Sequence, residues 1–239
     1  MTLETRLIEY THNDTILEGY YACDDTLTKP RPLVLIAHAW GGRDEFVEEK
    51  ARQLAALGYV GFALDMYGHG QVGSGPEENA RLMQPFMHNR ALLQSRMLKA
   101  LETARTLPGV DASRIAAMGY CFGGLCVLDL ARTGVDLCGV ASLHGLFSPP
   151  GNTSGQHIKA RVLILHGHDD PMATAEQSLV LAQELTAAGA DWQLHLYGNT
   201  LHAFTNPKAN DRAFGTVYDA LADRRSFQSV QNFLAEVLN

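Results

Sequence analysis

Gly119-Tyr120-Cys121-Phe122-Gly123-Gly124 is the stretch on which the reading of this chain turns. The apolar run before it, Arg114-Ile115-Ala116-Ala117-Met118, has the character of a short buried strand. The run after it, Leu125 to Arg132, carries a helical pattern and stops at Gly134. A cysteine between strand and helix, in the pattern G-x-C-x-G, reads as a nucleophile held on a sharp, strained turn. The glycines two residues to either side leave room where side chains would collide across that turn. Cys121 then stands at a helix N-terminus, where the dipole and the first N–H groups favour a thiolate.

Outward from this turn, strands and helices alternate. Residues 2–11 and 15–23 read as strands, and His12-Asn13-Asp14 between them is turn chemistry, so the chain opens with a hairpin. Leu33-Val34-Leu35-Ile36-Ala37 is a continuous apolar run of the buried parallel-strand kind, ending in His38-Ala39-Trp40-Gly41-Gly42. Phe46 to Leu57 is a helix, Tyr59 to Leu64 a strand, and Glu77 to Leu107 a long helical region that Pro85 splits or kinks. After the cysteine turn come a strand from Leu137 to Leu143, an exposed loop from Phe147 to Lys159, and a strand from Arg161 to Leu165. A helix from Thr174 to Ala188, a strand from Trp192 to Tyr197 and an amphipathic helix from Ser226 to Leu238 complete the pattern. The expected architecture is α/β: one domain over residues 1–239, with a mainly parallel, doubly wound sheet and no separate cap domain.

Composition narrows the function classes. The 239 residues are 46% hydrophobic, enough to bury a full core. The net charge of −7, with no block of lysine or arginine, argues against nucleic acid or an anionic membrane as the main partner. Met1-Thr2-Leu3-Glu4-Thr5-Arg6 lacks the basic-then-apolar layout of a secretory signal. Cys23, Cys121, Cys126 and Cys138 form no C-x-x-C pair and no regular spacing, which reads as thiols in a reducing compartment. A cytoplasmic protein acting on a small molecule, as a monomer or small homo-oligomer, is the expectation.

In open parallel sheets the chemistry gathers at the carboxyl ends of the strands. A thiol nucleophile needs a base for its proton, and that base needs an orienting acid. After the strand 161–165 comes His166-Gly167-His168-Asp169-Asp170-Pro171, and after the next strand Gly198-Asn199-Thr200-Leu201-His202-Ala203-Phe204. Nucleophile, acid, histidine, each on a loop after a successive strand, is the chain order of an α/β-hydrolase triad. Cys121, Asp170 and His202 are the assignments; Asp170 is preferred to Asp169 because it precedes Pro171 and sits deeper in the turn. The N–H groups of Phe122 and Trp40 are the expected oxyanion donors. Ala39, Tyr67, His69, Phe204 and Asn206 are the candidates for the pocket wall.

The chain resembles the dienelactone hydrolase family across nearly its whole length. The matching pieces are the loop after the first long strand, Asp65-Met66-Tyr67-Gly68, the elbow at 119–124, Gly167-His168-Asp169-Asp170-Pro171, and His202-Ala203-Phe204-Thr205-Asn206-Pro207. The resemblance implies a Cys-His-Asp hydrolase of esters or lactones, working through an acyl-enzyme without metal or organic cofactor. Two departures stand out. The family's gating glutamate in the first loop is Ala39 here, and the arginine that clamps a substrate carboxylate is replaced by Asn206. The missing arginine points to neutral, more apolar esters. Without the glutamate the thiolate depends on His202 and the helix dipole alone, and a readily ionised thiolate extends the expectation to activated esters and phosphotriesters. Two other readings remain. His166, His168 and Asp170 fit H-x-H-x-D, part of a two-metal signature that Pro171 interrupts. Cys121 could also serve as a thiol redox sensor on a hydrolase fold.

Overall fold

The computed structural model describes residues 2–26 and 29–239. Eight strands make one sheet in the order β1-β2-β4-β3-β5-β6-β7-β8: β1 Leu3–His12, β2 Thr15–Asp24, β3 Arg31–Ala37, β4 Val60–Ala63, β5 Val110–Tyr120, β6 Gly139–Leu143, β7 Arg161–Gly167 and β8 Trp192–Tyr197. The first two are an antiparallel hairpin in the register Leu3 to Asp24, and β2 also meets β4 antiparallel. The β3–β4, β6–β7 and β7–β8 pairs are parallel. The chain divides into two compact units, residues 1–118 and 119–239, with the boundary inside β5.

In the first unit, β3 and β4 are buried almost throughout, as their unbroken apolar runs require. Helix α1, Glu45–Ala56, packs its apolar face on them; Asp44 caps it by accepting the Val47 N–H. The expected long helix is two helices, α2 Pro76–His88 and α3 Arg90–Arg105, and the break is at Asn89 rather than Pro85. Asn89 adopts φ −128°, ψ 83°, and its side chain accepts the Leu92 N–H, capping α3. Asparagine offers the backbone a local alternative to the helical ladder, which a proline in the preceding turn makes easier to adopt.

The loop after β4 is held by one buried carboxylate. Asp65 Oδ1 accepts the N–H groups of Tyr67 and Gly68, each at 2.9 Å. Its Oδ2 accepts those of Gly70 at 2.9 Å and Glu18 at 3.0 Å. His38 ties the first glycine-rich loop to the same segment: Nδ1–H donates to Ala39 O, and Nε2 accepts the Met66 N–H at 3.2 Å.

In the second unit, α4, Phe122–Arg132, is buried along its whole length. A helix covered on all sides has to neutralise its charges internally. Arg132 meets Asp129 at 3.0 Å, both oxygens of Glu184 at 2.7 Å, and the Phe147 carbonyl at 3.1 Å. Glu184 belongs to α5, Ala175–Ala187, which opens on a complete capping box between Thr174 and Gln177. The closing helix, α6, Ala220–Leu238, begins six residues before the periodicity indicates, because Asp219 caps it through the Leu221 and Ala222 N–H groups. A two-residue ribbon, β9 Asn210–Asp211 with β10 Thr216–Val217, precedes it. Among the described residues no helix is long and apolar enough to cross a membrane.

Replacing Asp65 by alanine strips four N–H groups, two buried and two part-buried, of their acceptor. At about 1–3 kcal/mol for each buried donor left unsatisfied, partly relieved by water, Asp65→Ala is expected to lower the unfolding free energy by roughly 3–5 kcal/mol. Urea denaturation of the variant beside wild type measures it.

Candidate active site

The second unit holds the cysteine turn, the acid loop and the histidine loop. Cys121 lies between the end of β5 and the first residue of α4, at φ 54°, ψ −116°. Two backbone approaches make the turn possible. A Cβ on Gly119 would lie 2.1 Å from the Gly123 carbonyl oxygen. One on Gly124 would lie 2.7 Å from the Gly145 Cα and from Ser142 Oγ. Neither contact admits a side chain. The Cys121 N–H is shared between Leu143 O at 3.0 Å and His144 Nδ1 at 3.1 Å.

Of the two candidate acids, Asp169 is exposed and pairs with its neighbour, His168 Nδ1 to Asp169 Oδ1 at 2.8 Å. Asp170 is buried, and its Oδ2 lies 2.7 Å from His202 Nδ1. The other oxygen accepts the Met172 N–H at 2.8 Å and the Ala173 N–H at 3.3 Å. These bonds fix the carboxylate plane, and the carboxylate fixes His202 as the tautomer with a proton on Nδ1. The histidine backbone is clamped as well. The His202 N–H donates to Gly215 O at 3.0 Å, and its carbonyl accepts the Val217 N–H at 3.1 Å. The β9–β10 ribbon is therefore the brace of the histidine loop, and Gly215 lies so close to Pro171 that a Cβ would sit 2.3 Å from the proline ring.

The electrostatics of His202 depend on Cys121. Burial works against the imidazolium, but the charge on Cys121, the hydrogen bond from Nδ1 to Asp170 and the interaction with the sulfur outweigh it. The pKa of His202 is pushed up to about 10. Its Nε2 is buried with no nitrogen or oxygen partner.

Two further histidines are buried nearby and are neutral. His166 lies inside β7, with Nε2–H donating to Ala173 O at 2.7 Å. Burial lowers its pKa. Its nearest Asp170 oxygen is at 3.6 Å, and its ring faces Phe147 at 4.6 Å. His166, buried, and His168, exposed, are not brought together; among the described residues no cluster of His, Cys, Asp or Glu is arranged to hold a metal ion. The third histidine, His144, follows β6 directly and is the site residue that the sequence reading passes over. Its position at a strand's carboxyl end was a usable signal, but it has no place in the order of nucleophile, acid and base.

The remaining candidates divide between the units. Phe204 is fully buried, edge-on to His144 at 5.1 Å and to Tyr197 at 5.6 Å, so it packs under the site. Half-buried Asn206 accepts the Lys208 N–H through Oδ1. Phe122 is buried and is the first residue of α4. In the first unit, Ala39 and Trp40 are half-buried, and Tyr67 donates its hydroxyl to Trp40 O at 2.8 Å. Tyr67 also stacks edge-on with His38 at 4.7 Å. His69 is exposed, with φ 53°.

A mainly parallel sheet with an antiparallel start, and a strained turn entering a buried helix, is the α/β-hydrolase architecture. The chain belongs to the dienelactone hydrolase family, a family of hydrolases, which it matches over residues 17–238, across both units. Among solved structures it is similar to a protein called m3DLH, at 33% identity over 99% of each chain and a TM-score of 0.94. It is also similar to a dienelactone hydrolase-like promiscuous phosphotriesterase from metagenomic libraries, at 34% identity over 99% of each chain and a TM-score of 0.93. A Yersinia pestis protein provisionally named carboxymethylenebutenolidase is 28% identical over 199 residues, covering 79% of this chain and 74% of its own.

The raised pKa of His202 has a consequence for stability. Because about 10 lies above the ordinary 6.5, the protonated imidazole's contribution is complete below pH 6.5 and is lost as pH rises through about 10. The urea midpoint of wild type is expected to exceed that of Cys121→Ala near neutral pH, with the gap narrowing as pH approaches 10. A gap that stays constant over that range would contradict the ion pair.

Proposed function

We propose that this protein is a cofactor-independent hydrolase of neutral, activated carboxylic esters or lactones, acting through Cys121, His202 and Asp170 in the cytoplasm. The observation that carries this reading is the buried Asp170–His202 bond of 2.7 Å, beside which the His202 pKa is pushed up by Cys121 and Asp170 against its burial. The thiolate sulfur attacks the carbonyl carbon and pushes an electron pair onto oxygen, where the Phe122 N–H at the head of α4 is the first donor. The second donor, the Trp40 N–H, belongs to the first unit and is assigned from sequence order alone. Collapse of the tetrahedral species breaks the ester C–O bond, and His202 gives its Nε2 proton to the leaving alkoxide. Now neutral, His202 takes a proton from water as that water attacks the thioester. The acid leaves, the thiolate returns and the imidazolium is restored. Asp170 keeps the ring in one tautomer throughout.

Ala39 and Asn206 support the substrate class. Without the glutamate and arginine that the family resemblance leads one to expect, neither position offers a charge to gate the thiol or to clamp a carboxylate. The likeness to a promiscuous phosphotriesterase at 34% identity supports extending the reading to activated phosphotriesters, because N–H donors that suit a carbonyl oxygen also suit a phosphoryl oxygen.

A p-nitrophenyl ester panel with one aryl phosphotriester, run on wild type and Cys121→Ala, tests the proposal. Wild type is expected to give a pre-steady-state burst equal to the enzyme present, and the variant to lose activity by about 10⁴-fold or more. Ester hydrolysis that survives in Cys121→Ala and is abolished by a chelator would instead favour a metal at His166 and His168.

A further inference from the structure

His144 touches both the cysteine turn and the histidine loop. Its Nδ1 accepts the Cys121 N–H at 3.1 Å, and its Nε2 lies 2.8 Å from the hydroxyl of Thr205, three residues after His202. Because an amide can only donate, Nδ1 carries the lone pair and Nε2–H donates to Thr205 Oγ1. Both side chains are buried, His144 at 2% exposure and Thr205 at 1%. The ring also packs edge-on against His202, with centroids 5.1 Å apart, and against Phe204 at 5.1 Å. The backbone of His144 is held at φ 38°, and its N–H donates to Leu165 O at 2.8 Å. A residue with a side chain occupies that conformation at a cost, and persists in it only when its surroundings fix it.

We propose that His144 is a positioning residue that sets the distance and angle between the Cys121 sulfur and the His202 imidazole by bridging the Cys121 amide to the Thr205 hydroxyl. The proposal rests on the reading of Cys121 and His202 as nucleophile and base. The groups facing the bridge limit its chemistry. His202 and His166 both disfavour a positive charge on His144, burial disfavours it more, and the pKa lies well below the ordinary value. A protonated ring would set a second N–H against the Cys121 amide, so the bridge works in the neutral state alone. Rather than exchanging protons with substrate, His144 links the elbow, where the nucleophile is fixed by backbone strain, to a loop otherwise braced by the β9–β10 ribbon. A misplacement of about 1 Å between reacting groups is enough to cost roughly a hundredfold in rate, which is the scale on which a lost bridge is read.

Thr205→Val removes the hydroxyl with little change of shape, Thr205→Ser retains it, and His144→Asn keeps an acceptor where Nδ1 stands but loses the reach to Thr205. Acylation rates come from the burst phase, and the ionisation of Cys121 from the ultraviolet absorbance of the thiolate against pH. Thr205→Val and His144→Asn are expected to slow acylation by about tenfold to a hundredfold with KM little changed. The thiolate titration should move to higher pH in both. Thr205→Ser is expected to restore both quantities, and the double variant to be no slower than the slower single one, since both break the same bond. The inference is overturned if Thr205→Val acylates at the wild-type rate with an unmoved titration, whatever its melting temperature. It is equally overturned if Thr205→Ser is as slow as Thr205→Val. Cys121→Ala is the control on the underlying reading: retained activity there removes nucleophile and bridge together, whereas an inactive Cys121→Ala beside a wild-type Thr205→Val removes the bridge alone.

Discussion

Cys121 sits at φ 54°, ψ −116°, a region that residues with a Cβ enter only under constraint, and the second unit is arranged around keeping it there. Gly119 and Gly124 let backbone pass where side chains cannot, and the cysteine amide is held by two acceptors at once. Helix α4 can begin on the next residue because its whole surface is covered and its two charges are answered by Glu184 and by each other. The strain at one residue is thus balanced by the burial of an entire helix.

Three histidines in the same unit have pKa values shifted to different extents, for reasons that can be separated. His202 has a carboxylate on one nitrogen and the charge of Cys121 nearby, and these outweigh its burial. His166 has a backbone carbonyl as its partner, and burial wins. His144 has an amide on one side and a hydroxyl on the other, with two histidines as electrostatic neighbours, and is driven furthest toward neutrality. Environment pushes the pKa of one residue type up in His202 and down in His166 and His144.

Much of this was legible before folding. The alternation of buried runs with helical periodicity gave the order of elements, since a parallel strand covered on both faces has to be apolar throughout. The elbow was readable because only glycine tolerates its close approaches, whereas the adjacent Asp169 and Asp170 are separated by burial, which a linear string does not carry. The misplaced features were those set by a single local hydrogen bond. Asn89 breaks the long helix, Asp219 starts the last one early, and the β9–β10 ribbon has too few residues to show any period.

The sequence by itself determined the class of fold, the residue types of the site and their order along the chain, because periodicity, glycine spacing and loop position are local properties that a linear string can carry. Only the tertiary structure decided which aspartate meets His202, that the ribbon braces its loop, and that His144 joins the elbow to Thr205. Those are contacts between residues 32, 13 and 61 positions apart. Their strength comes from removing water around groups that the chain brings together only when it is folded.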